Sequence, residues 1–165
     1  MWPKENQISE VRVLLMTAFD AGLARPPESV VDCEFLEDDD ERAAIHTDFL
    51  GKSWWKLDYA TLFRHRDSIP LFHNIGFAYY TPAYLLACLE LMRPEAYDLC
   101  SNVLMSLNPV GENGEIVQFT YARLNQFTEV QRKAIARFIS MFLHLEALVG
   151  KEARLAFSAF WEKYS

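Results

Sequence analysis

The run Gly76-Phe77-Ala78-Tyr79-Tyr80-Thr81-Pro82-Ala83-Tyr84-Leu85-Leu86-Ala87-Cys88-Leu89 places the tightest limit on the fold. A helix carrying Tyr84, Leu85, Leu86, Ala87, Cys88, Leu89 and Leu91 has almost no polar face, so other elements must cover it on most sides. Proline lacks an amide hydrogen and has a fixed φ, which suits a first helical position. The spacing therefore predicts Thr81 as N-cap and a helix from Pro82 towards Met92; an earlier start near Asn74 would make Pro82 a kink. The aromatics Tyr79 and Tyr80 read first as core packing and second as the lining of a ligand pocket. A chain of 165 residues, 51% hydrophobic and 14% aromatic, buries about two thirds of its unfolded surface and is long enough to wrap such a helix in one domain.

Helical periodicity dominates the rest. Ile8, Val11, Leu14, Leu15, Ala18 and Phe19 recur at three and four, predicting a helix that ends near Gly22, before Arg25-Pro26-Pro27. Asp38-Asp39-Asp40-Glu41 opens a second helix with Ala44, Ile45 and Phe49, because carboxylates favour the positive end of the macrodipole, and Gly51 stops it. Asp58 caps a short helix through Phe63 and His65, with a break near Ile69-Pro70. A helix from Pro94 to Leu107 turns Tyr97, Cys100, Val103, Leu104 and Leu107 inward. VGENGE reads as a surface loop and Glu115 to Tyr121, despite its alternation, as extended loop. Thr128-Glu129-Val130-Gln131 forms a capping box before a helix with Val130, Ile135, Phe138, Ile139, Phe142 and Leu145 inside, ended by Gly150. Lys151 to Tyr164 makes a last helix on Leu155, Ala156, Phe160 and Trp161. The fold class is all-α: a compact single-domain bundle of six or seven helices over residues 1–165.

Cys33, Cys88 and Cys100 show no CxxC spacing and read as reduced and structural. The start lacks the basic-then-apolar pattern of a signal peptide, and no apolar stretch reaches the ~20 residues that span a bilayer, so a cytoplasmic location is expected. Net charge is −7, and residues 1–98 hold 17 acids against 9 bases while residues 99–165 hold 6 against 7. Such a surface repels phosphate backbones, so neither nucleic acid nor membrane is an expected partner.

The pattern GK-x-W at Gly51, Lys52 and Trp54, H-x-D at His65 and Asp67, Y-x-P-A at Tyr80, Pro82 and Ala83, and T-x-x-Q-R-x-A-I at Thr128, Gln131, Arg132, Ala134 and Ile135 resembles an uncharacterised family of bacterial proteins known only as a domain of unknown function. The resemblance covers roughly residues 41 to 143. It implies a helical bacterial domain and supplies no activity. The segments outside it would then carry whatever is particular to this chain.

No GxSxG, HExxH, P-loop or GxGxxG is present, so no catalytic residue, cofactor or metal is assigned. His65 and Asp67 could form an acid/base pair, but side chains two apart on a helix face different ways. His65 therefore reads better as an interhelical hydrogen-bonder and Asp67 as a cap. The acidic run Glu34, Glu37, Asp38, Asp39, Asp40 and Glu41 reads as a solvated helix start or as a docking surface for a basic partner, which would speed association. Trp54 and Trp55 follow, one of them expected to be less buried, as at an interface anchor.

The function expected from these features is that of a non-enzymatic binding protein of the bacterial cytoplasm. Its most specific form is an immunity-type protein that neutralises a basic toxin by covering its surface, with Glu37, Asp38, Asp39, Asp40, Glu41, Trp54 and Trp55 in the contact. The alternative is a small enzyme or ligand-binding domain with Lys52, His65, Asp67, Tyr79 and Tyr80 around a pocket.

Overall fold

The computed structural model describes residues 3–32, 34, 39–90 and 96–165. Among these the chain forms eight α-helices and no strand: α1 (Glu5–Ala18), α2 (Asp40–Phe49), α3 (Tyr59–Arg64), α4 (Asn74–Cys88), α5 (Ala96–Ser106), α6 (Gln118–Leu124), α7 (Glu129–Ser140) and α8 (Leu148–Ala156). Short 3-10 turns stand at Trp54–Lys56, Ile69–Leu71 and Glu162–Tyr164, and a π turn at Phe157–Trp161. Extended segments meet only at single bridges, Val31 with Phe72 and Val110 with Ile116.

The apolar run behaves as its composition requires. α4 lies against α1, α3, α5, α6 and the Trp54 turn, and Phe77, Tyr80, Ala83, Tyr84, Leu85, Ala87 and Cys88 are all buried. It starts at Asn74, not at Pro82. The cap is His73, whose Nδ1 accepts from the Gly76 amide at 2.9 Å. Thr81 is inside the helix, and its hydroxyl donates to the Phe77 carbonyl at 2.6 Å. Pro82 is therefore an interior residue that supplies no amide hydrogen to the Ala78 carbonyl. Histidine is an uncommon cap, and the usual preference for Thr and Pro pointed about two turns too late; the alternative start near Asn74 is the one found. Leu86 is only half-buried because it faces out beside Trp55.

Hydroxyls and an indole bind distant segments to this core. The Tyr80 hydroxyl reaches the Phe49 carbonyl at 2.6 Å and the Lys52 carbonyl at 3.0 Å, fastening the end of α2. Gly51 ends that helix with φ of 72°, a conformation that favours glycine. The Tyr84 hydroxyl donates to the His65 carbonyl, and Trp161 Nε1 donates to the Leu107 carbonyl at 2.8 Å.

The C-terminal third differs from the sequence reading in three ways. Gln118–Leu124 is a helix, not extended loop: it buries Arg123 and Leu124 and leaves Phe119 outside, so the apolar alternation marked no sheet face. The capping box forms as expected, with Thr128 Oγ1 accepting from the Gln131 amide and Gln131 Oε1 from the Thr128 amide. The helix it opens ends at Ser140, and Gly150 sits inside α8 instead of ending α7. A Cβ at Gly150 would stand 2.0 Å from the Leu145 carbonyl oxygen, so close approach is what demands glycine there. Val130 and Leu155, expected inside, are exposed, as is Tyr97 earlier in the chain on α5. α7 packs on α1 and α8, and α8 on α5.

Cys88 and Cys100 are free thiols in the core, and burial holds the Cys88 thiol well above its usual range. Cys33, Glu37, Asp38, Leu91, Met92 and Pro94 lie outside the described residues. Among the described residues no helix is long and apolar enough to cross a membrane.

Candidate functional site

The acidic run serves α2 before it serves a surface. Asp39 is the N-cap, accepting from the Glu41 and Arg42 amides at 3.0 Å each, and its carboxylate also pairs with the Arg42 guanidinium. The Arg42 backbone bond is the foremost cause of the lowered Asp39 pKa. Glu41 accepts a hydrogen bond from the Ser68 hydroxyl at 2.5 Å, which ties α2 to the turn after α3. Asp40 and Glu41 stay exposed. Trp54 is buried and edge-on to Phe19 and Trp55, while Trp55 is half-buried above a recess shared with Arg12, Tyr59 and Leu86. The acids begin α2 and the tryptophans follow its end, so about 15 Å of helix rise lies between them.

The histidine, lysine and tyrosines named for a pocket do not converge. His65 is 3% exposed at the end of α3, edge-on to Phe49. Its Nε2 meets Asp48 Oδ2 at 2.8 Å, and Arg64 Nη1 reaches the same oxygen at 3.0 Å. The His65 hydrogen bond is the largest cause of the lowered Asp48 pKa. Asp48 follows Ile45 by three and precedes Phe49, so it borders the buried stripe of α2, and that placement was the available signal for a polar partner. Tyr80 is in the core, where burial raises its pKa, and the half-buried Tyr79 donates to the Ala24 carbonyl at 3.3 Å. Lys52 contributes only its backbone carbonyl to these contacts, its side chain being exposed. Asp67 faces elsewhere, accepting from Asn102 Nδ2 at 2.6 Å and pairing with Arg66 at 3.6 Å.

Asp67 borders an open groove of about 310 Å³ between the turn after α3, α5 and α6. Asn102, Met105 and Ser106 come from one face of α5 because they are spaced by three and four. Phe119, Thr120 and Arg123 do the same from α6, and Arg66 and Pro70 close the third side. Arg123 is the most constrained of these at 4% exposure. Its Nε donates to Asn74 Oδ1, its Nη2 to the Pro70 and Phe72 carbonyls, and its guanidinium lies between the rings of Phe77 and Phe119 at 4.8 and 4.2 Å. Burial lowers its pKa to about 10, with Asp32 acting in the opposite sense. The sequence reading missed this residue because Arg123 belongs to a segment next to one read as extended. Among the described residues no group of three or more His, Cys, Asp or Glu is placed to hold a metal ion.

The model of the family of unknown function DUF6714 matches residues 28–165, and the chain belongs to that family. The match is wider than the stretch from 41 to 143, so the acidic run and the C-terminal helices are part of the family's own body. No curated protein and no solved structure matches the chain.

Proposed function

We propose that this chain is a non-enzymatic binding protein, and in its most specific form an immunity-type protein of the bacterial cytoplasm that neutralises a toxin by covering its surface. His65 carries the reading. A general acid or base must come within hydrogen-bond reach of its substrate, and this imidazole is 3% exposed, with Asp48 on one side and Phe49 on the other. The surface supports a protein partner better. Net charge is −7, Asp40 and Glu41 are exposed at one end of α2, and the half-buried Trp55 stands beyond the other.

The test is co-purification from the native host, followed by identification of whatever binds in stoichiometric amount. A basic protein is the expected result. Turnover of a small molecule that His65→Ala abolishes while the melting temperature is kept would replace this reading with an enzymatic one.

A further inference from the structure

Arg123 holds a positive charge where charges are costly. A buried ion is ordinarily paired with an opposite one, since leaving water is costly unless a partner compensates. Here the partners are neutral oxygens of Pro70, Phe72 and Asn74 and two aromatic faces. No carboxylate forms an ion pair with it among the described residues, and Asp32 acts only from farther off. Nε and Nη2 are occupied, while Nη1 donates to nothing among the described residues and is not sealed from solvent. That nitrogen belongs to a side chain lining the groove.

The rest of the groove has matching chemistry. Arg66 stands on its rim, held by the Phe63 carbonyl at 3.0 Å and stacked on the Phe63 ring at 4.3 Å. Asp67 is the one acid in the lining, and it already faces Arg66 and Asn102. Two cations against one anion leave the groove positive on a molecule whose net charge is −7. Met105 and Phe119, both more than half exposed, supply an apolar wall, and Asn102 and Thr120 supply hydrogen-bonding groups beside it. A volume of about 310 Å³ is that of a small-ligand site.

We propose that this groove binds a small organic monocarboxylate with an apolar body, its carboxylate received by Arg123 Nη1 and Arg66 and its body laid on Met105 and Phe119. The apolar wall of Met105 and Phe119 selects an acid with an apolar body over inorganic phosphate, which has nothing to lay against it.

The experiment is a titration of the full chain with phenylacetate, followed by ¹H–¹⁵N NMR, with phenylacetamide as the uncharged counterpart. Phenylacetate should give saturable shifts at the Asn102, Ser106 and Thr120 amides and at Arg123 Nε–H, and phenylacetamide should bind about tenfold more weakly. Arg123→Gln risks the fold, because it removes the donors to Pro70 and Phe72, so the working variant is Met105→Asp. It sets a carboxylate on an exposed wall without touching those bonds, and it should weaken phenylacetate by about tenfold with an unchanged melt. Absence of saturable shifts with both phenylacetate and hexanoate up to high millimolar concentration overturns the proposal. So does equal binding of the amide, or full binding by the folded Met105→Asp variant. A short peptide ending in a free phenylalanine carboxylate separates the two sources of this chemistry: tighter binding than phenylacetate assigns the site to a chain terminus, weaker binding to a free acid.

Discussion

Asp48, on α2, is one carboxylate serving two side chains, since its Oδ2 receives both His65 and Arg64 from the end of α3. Its pKa lies below the ordinary 3.8, first because of the His65 hydrogen bond. A carboxyl with a lower pKa folded than unfolded binds fewer protons when folded. Its stabilisation is therefore full above pH 3.8 and is lost as pH falls through the lowered folded value. Melting temperatures taken from pH 5 downwards should fall less steeply in Asp48→Asn than in the parent; parallel curves would remove Asp48 from the acid response. Gly150 poses the opposite kind of constraint, made of space alone. Alanine in a helix interior is ordinarily the better residue by about 0.5–1 kcal/mol, but here its methyl would meet the Leu145 carbonyl at 2.0 Å. Gly150→Ala should destabilise by about 1–3 kcal/mol in urea titration, and a gain in stability would show that the 143–150 connection yields freely.

Helices α7 and α4 differ in how they are specified. α7 has its start written locally, in the reciprocal Thr128–Gln131 bonds, and its buried stripe of Ala134, Ile135, Phe138 and Ile139 follows the helical period. Phe138→Ala should cost about 3–5 kcal/mol, because the ring is wholly buried against Phe142. Thr128→Ala should cost about 0.5–2 kcal/mol through the lost cap. α4 shows almost no period, since most of its circumference is covered. Its half-buried Leu86 should lose less on truncation than Phe138, under about 2 kcal/mol. Equal losses for Leu86→Ala and Phe138→Ala in the same denaturant series would contradict this assignment of faces.

Across the molecule, charge acts where contacts do not reach. The proposed basic partner would feel Asp40 and Glu41 over a Debye length of ~8 Å at physiological salt. Asp40→Asn with Glu41→Gln should lower the association rate and flatten its salt dependence, while Asp39 is kept because it caps α2. Trp55→Ala should instead raise the dissociation rate, as loss of a packed aromatic anchor does. Stopped-flow kinetics of the co-purified partner at two salt concentrations separates these effects. Unchanged rates in the acidic variant would leave those side chains with the helix-starting role of α2 alone.

Signals confined to a few neighbouring residues were readable in the chain: the caps Asp58 and Thr128, the acidic start of α2, the stop at Gly51, and the stripe of α7. Each depends on bonds or backbone angles within about one helical turn, so residue order alone carries them. The helical class and the burial of Tyr80 and Tyr84 follow likewise from composition and period. What joins His65 to Asp48, Gly150 to Leu145, and Arg123 to the 70–74 segment is the approach of the end of α3 to α2, the path of the chain into α8, and the docking of α6 on α4. The first and last of these meetings join residues 17 and 53 apart, His65 with Asp48 and Arg123 with the Pro70 carbonyl. A local pattern holds no record of which distant atom will arrive, because the position of that atom is set by how all the apolar faces are buried together.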